Sequence, residues 1–89
     1  MESIKNKTLR IVNNIFNIKC GTIVEITAKK DDKVDKIIFK CKCINGNYDL
    51  YDLNDNDISW GISDETLNDM RLSLLKDYLD KYYINLKLI

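Results

Sequence analysis

Asn45-Gly46, set between two runs of alternating side chains, constrains this chain more than any other feature. Both residues accept the positive φ of a type I′ turn, whose twist suits two antiparallel strands, so the dipeptide predicts a two-residue hairpin loop. Counting outward sets the register. Ile44 opposes Asn47, Cys43 opposes Tyr48, Lys42 opposes Asp49, Cys41 opposes Leu50 and Lys40 opposes Tyr51. Alternation then gathers Phe39, Cys41, Cys43, Tyr48 and Leu50 on an inner face, with Lys36, Ile38, Lys40 and Lys42 on the other. Lys42 against Asp49 is a favourable cross-strand charge pair.

The flanking segments extend this sheet. Thr22-Ile23-Val24-Glu25-Ile26-Thr27 is β-branched nearly throughout and predicts a strand over 21–29, followed by a polar turn at Lys30-Asp31-Asp32-Lys33. The hairpin's first strand covers 35–44. After a turn at Asn54-Asp55-Asn56-Asp57, Ile58, Trp60 and Ile62 alternate with Ser59 and Gly61, which predicts a short further strand. Ser63 is suited to cap a helix, with Asp64 and Glu65 where the helix dipole favours negative charge, and that helix is expected from Asp64 to about Tyr82. Ile84, Leu86 and Leu88 alternate again and predict a last strand. At the other end, Ile4, Ile11, Val12, Ile15 and Phe16 lie near helical spacing and predict an amphipathic helix over 3–17; the rival is a short hairpin turning at Asn13-Asn14.

These elements describe one α+β domain over residues 1–89. The expected architecture is a small antiparallel sheet or barrel of four to five strands, with an N-terminal helix and a C-terminal amphipathic helix. Ile18-Lys19-Cys20-Gly21-Thr22-Ile23-Val24-Glu25-Ile26 resembles the entry strand of small SH3-like barrels, in which a glycine precedes alternating apolar residues. The resemblance covers residues 18–62 and implies a small barrel and a binding role, since such modules bind protein or nucleic acid.

Composition bears mostly on chemistry. The chain of 89 residues contains no histidine and no proline, and only three glycines, so the commonest general base and the phosphate-cradling loops are missing. Cys20, Cys41 and Cys43 are an odd set; a disulfide scaffold carries an even one, and zinc wants four ligands with wider pair spacing. Cys41 and Cys43 are expected as packed core thiols. Asp52-x-Asn54-x-Asn56 opens like a calcium loop but has Asp57 and Ser63 where glycine and glutamate are required, so a solvated turn is expected. No enzyme, cofactor or metal is expected. The start has no apolar block that would read as a leader, and no apolar run approaches a membrane span, so a cytoplasmic protein is expected.

Charge is divided along the chain. Residues 1–42 carry ten basic and five acidic side chains, and residues 43–89 carry four and nine. Lys29, Lys30, Lys33, Lys36, Lys40 and Lys42 form a candidate phosphate-tracking set for nucleic acid. Asp49, Asp52, Asp55 and Asp57, with Tyr51, form a candidate protein-binding face. The hairpin register folds these two sets side by side, so they partly compensate. The C-terminal helix supplies the other candidate surface. Leu67, Met70, Leu74 and Tyr78 occupy one arc and Leu72, Leu75, Leu79, Tyr82 and Tyr83 the next, an apolar arc of roughly 220° against the 100° or so that a one-sided helix needs. Leu72, Leu79 and Tyr83 are the residues expected to meet a partner or a second copy of the chain.

The expected function is therefore a non-enzymatic protein-binding domain. The bias toward Ile, Asn and Lys fits AT-rich coding, and with the small size and divided charge it suggests a phage or mobile-element accessory protein. Such a protein would occupy a surface of host machinery, as anti-CRISPR inhibitors do. The alternative is a nucleic-acid-binding small barrel that uses the basic hairpin.

Overall fold

The computed structural model describes residues 3–89; Met1 and Glu2, where the leader was sought, lie outside the described residues. Helix α1 (Ile4–Phe16) is followed by strands β1 (Ile23–Lys30), β2 (Lys33–Ile44) and β3 (Asn47–Asp52), helix α2 (Leu67–Leu79) and strand β4 (Asn85–Leu88). The strands form an antiparallel sheet in the order β3-β2-β1-β4. Of the two readings of residues 3–17, the helix is the one adopted. Ser3 caps it, its Oγ accepting the Asn6 N–H at 3.1 Å.

The hairpin has the counted register at every pair from Ile44↔Asn47 to Lys40↔Tyr51. Asn45 and Gly46 take φ of 52° and 80°, as a type I′ turn requires. Lys42 and Asp49 are opposite one another but do not pair. Lys42 Nζ donates to Asn56 Oδ1 at 3.0 Å, and the Asp49 carboxylate is buried on backbone N–H groups. Cys43, expected on the core face, does not reach the core. It is exposed while Cys41 is fully buried, because the hairpin runs past the edge of the helices that cover the inner face.

Residues 18–22 are shaped by one glycine. Gly21 has φ 95°, the Thr22 N–H reaches the Lys19 carbonyl at 3.0 Å, and Gly21 and Thr22 together face Cys41. Gly21 donates to the Cys41 carbonyl and Cys41 donates to that of Thr22, both at 2.8 Å. This is a type II turn leading into a glycine bulge, which bends the chain into β1.

The short strand expected at Ile58, Trp60 and Ile62 is reduced to two isolated bridges, Tyr51↔Ser59 and Tyr48↔Asp64. Between them Gly61 and Ser63 adopt φ of 90° and 52°, and residues 61–63 together face Asp49 alone. The backbone ladder fails at that bulge, and the Asp49 side chain fills the gap by accepting the Ile62 N–H at 3.2 Å and the Leu50 N–H at 2.7 Å. β3 and β4 lie at opposite edges of the described sheet, and barrel closure is not shown.

Helix α2 is shorter than expected at both ends. Ser63 is occupied in the bulge, so Thr66 becomes the cap, its Oγ1 accepting the Asp69 N–H at 3.0 Å. At the far end Lys81 turns to φ 66°, with Lys81 N–H on the Tyr78 carbonyl and Tyr82 N–H on that of Asp77. That is a Schellman closure, with lysine where glycine is usual. It swings Tyr83 out of the helix path and into the core.

Both helices cover one face of the sheet. The core joins Ile11, Ile15 and Ile18 to Met70 and Leu74, over Val24, Ile26, Phe39, Cys41, Leu50 and Leu86, with Tyr83 at 1% exposure. Trp60 stands edge-on between Phe39 and Tyr83, at ring separations of 5.8 and 5.5 Å. Its indole N–H donates to Asp77 at 2.7 Å, and the Tyr83 hydroxyl donates to the Leu74 carbonyl at 2.6 Å. Among the described residues no buried side-chain nitrogen or oxygen lacks a partner.

Candidate interaction surfaces

The helices run antiparallel. Thr8 and Tyr78 hydroxyls meet at 3.3 Å near one end of the pair, and Arg71 clamps the Ile18 carbonyl at the other through Nε at 2.9 Å and Nη2 at 2.6 Å. These two ties set which residues flank the seam. At 100° per residue, Leu9, Val12 and Phe16 fall on the α2-side shoulder of α1, while Leu75 falls on the α1-side shoulder of α2 and Leu79 and Leu72 on its outer crest. With the helices opposed, Phe16 lies level with Leu72, Val12 with Leu75, and Leu9 with Leu79. Four of the six stand well out of the core: Leu9 is 57% exposed, Phe16 40%, Leu72 53% and Leu79 62%. At the end where α1 begins, a groove of about 370 Å³ opens between Ile4, Lys7, Tyr78, Leu79, Lys81 and Ile84, its floor formed by Tyr83.

Leu72 and Leu79 are thus on an outward surface, as the sequence implies, but Tyr83 is not. Its ring is buried and its hydroxyl used, because the chain leaves the helix at Lys81. The sequence reading missed Leu9 and put Phe16 on the core side of α1. The available signal was the spacing of seven between Leu9 and Phe16, opposite the Ile11 and Ile15 stripe.

The face of the sheet away from the helices carries the charge. Alternation from the paired registers puts Lys29, Lys36, Lys40 and Lys42 on it, joined by Lys87 of β4 opposite Glu25, and Lys40 is beside Tyr51. Lys30 and Lys33 pair across the β1–β2 hairpin on the other face, so the six candidate lysines are not one surface. Sequence reading did not count Lys87, because β4 returns to the sheet from far along the chain.

The acidic candidates are also separated. Asp49 is 3% exposed and holds the bulge, which removes it from the protein-binding set. Tyr51 lies half-buried on the basic sheet face. Asp52 Oδ1 accepts the Asn54 N–H at 2.8 Å, and Asp55 Oδ1 accepts the Asp57 N–H at 3.1 Å. These Asx turns hold the loop in its bend. Asp55 and Asp57 are exposed there.

The thiols differ in environment. Cys41 Sγ lies 3.8 Å from Met70 Sδ, and burial pushes its pKa up to about 11. Cys20, at the bend of the type II turn, and Cys43, opposite Tyr48, are exposed. The neighbouring Cys43 pushes the Tyr48 phenol upward. Among the described residues no group of three or more cysteine or carboxylate side chains is placed to hold a metal ion, and no helix is long and apolar enough to cross a membrane. No family model matches the chain, and neither curated proteins nor solved structures yield a match.

Proposed function

We propose that this chain is a non-enzymatic protein-binding domain that docks through the outer shoulders of α1 and α2. The observation that carries the reading is the run of exposed Leu9, Phe16, Leu72 and Leu79 along one seam. Scattered apolar side chains are ordinary on a protein surface, but a contiguous set marks an interaction site. Blocking a surface of host machinery, in the manner of phage anti-defence inhibitors, is the version of this role suggested by composition. The test is affinity capture with the wild-type chain and with Leu72→Glu and Leu79→Glu. Neither residue supports the core, so both variants keep the wild-type circular dichroism and lose the captured protein. Capture at wild-type level by the double variant would remove the helix seam from consideration.

A second reading has its own observation. Lys29, Lys36, Lys40, Lys42 and Lys87 share the sheet face that the helices leave open, with Tyr51 among them. This placement favours a backbone-tracking nucleic-acid contact with one stacking aromatic. Binding of a fluorescent oligonucleotide that weakens steeply with salt, and weakens further in Lys40→Gln/Lys42→Gln, supports it; no binding at 50 mM salt excludes it.

A further inference from the structure

We infer that the helix seam is closed in solution by a second copy of this chain. The inference rests on the helix seam being a protein-docking surface and names its occupant. Charge and symmetry of the face select that occupant. Lys5 lies in the first turn of α1, on the same arc as Leu9, Val12 and Phe16, and is exposed. Asp69 lies in the first turn of α2, on the rim beside Leu72, and is exposed with only its backbone N–H engaged in the cap. Because the helices are antiparallel, these two residues stand at diagonally opposite corners of one face.

A two-fold axis lying in that face, perpendicular to the diagonal, exchanges the corners. Lys5 of each copy then meets Asp69 of the other, twice per dimer, while the Leu72 and Phe16 ends of the stripes cover the Leu79 and Leu9 ends. A face that pairs with itself under such an operation is what an isologous dimer requires.

Size sets the strength. Each helix has 13 residues and is about 20 Å long, and two side by side present a face about 20 Å wide. That is about 400 Å² per copy, or about 800 Å² in all, below the roughly 1,200 Å² of stable specific interfaces, so the association is weak and concentration-dependent.

Sedimentation equilibrium between 5 and 500 µM in 50 mM salt tests the inference. The wild type shifts from monomer toward dimer mass across that range. Leu72→Glu/Leu79→Glu raises the dissociation constant at least tenfold, with an unchanged melting curve. Lys5→Glu and Asp69→Lys each weaken self-association. Mixed together they form a heterodimer tighter than either homodimer, because both corner contacts are restored. A wild type that stays monomeric at 500 µM overturns self-association, and a dimer that the leucine variants leave intact overturns the helix seam as the place where the copies meet. Neither result touches the docking surface itself, which falls only if the leucine variants also capture a foreign protein at wild-type level.

Discussion

Replacing Asp49 by alanine removes the acceptor that bridges the bulge between β3 and residues 58–64. In the folded chain one carboxylate oxygen takes two backbone donors, Leu50 at 2.7 Å and Ile62 at 3.2 Å, at 3% exposure. Hydrogen bonds to a charged group contribute about 1.5–3 kcal/mol each, and the longer of the two belongs at the low end. Removing the carboxylate also removes the cost of burying a charge, so the sum is reduced rather than doubled. The expected loss for Asp49→Ala is about 2–4 kcal/mol. In a domain of this length that lowers the melting temperature by roughly 10–20 °C. Asp49→Asn keeps an oxygen in the same place and loses only about 1 kcal/mol. The assay is urea unfolding of both variants, with amide exchange of Ile62 and Trp60 followed by NMR. In Asp49→Ala these amides lose protection before the β1–β2 ladder does, because the edge segment detaches first. An alanine variant within 0.5 kcal/mol of wild type, or an asparagine variant as unstable as the alanine one, refutes the bridging role.

Alkaline stability reports on two buried acids. Cys41 is raised from 9.0 to about 11, and Tyr83 is raised from 10.0 first by burial and then by Asp77 and Tyr78. Their folded values exceed their unfolded ones, so the stability they contribute is full below pH 9 and is lost as pH climbs. Unfolding free energy therefore falls between pH 9 and 11 at up to about 1.4 kcal/mol per pH unit for Cys41, and Cys41→Ala flattens that slope although it lowers the plateau. Thiol labelling at pH 8 modifies Cys20 and Cys43 within minutes, whereas Cys41 reacts only in denaturant; three fast thiols in the native protein contradict the packing. Gly21→Ala finds no heavy atom within 4 Å of its new methyl group, so its whole effect comes from the backbone at φ 95°. It destabilises by about 1–2 kcal/mol in thermal melts, and a neutral result means the turn has re-formed.

Local chemistry made the centre of this fold legible. Asn45-Gly46 admits one loop geometry, and every pair it implies is present because a period of two leaves no other way to bury Phe39, Cys41 and Leu50 together. The errors have physical causes that short-range patterns do not contain. Cys43 has the right alternation for the core, but burial depends on where the covering helices stop. Ser63 is as good a cap as Thr66 by type, yet the bulge takes it, and the bulge depends on a side chain thirteen positions away, Asp49 on Ile62. Tyr83 continues the helical apolar arc on paper; the exit at Lys81 carries no glycine to announce it. On the candidate surface, Leu72 and Leu79 were readable from α2 alone. Leu9 became part of a surface only when α1 was set antiparallel beside α2, which is a tertiary fact.

The sheet order has a consequence for how the chain reaches this state. β1 lies between a neighbour two residues around a turn, at Lys30↔Lys33, and another whose pairing joins Thr27 to Asn85. Closing the longer loop costs about 3 kcal/mol more conformational entropy than closing the tight one. The β1–β2–β3 meander is therefore expected to assemble early in folding, and β4 to add late, with α2 and the bulge segment already condensing on the meander. Truncating Leu86, which is fully buried on β4, would then quicken unfolding while leaving the folding rate nearly unchanged; truncating Phe39 would slow folding.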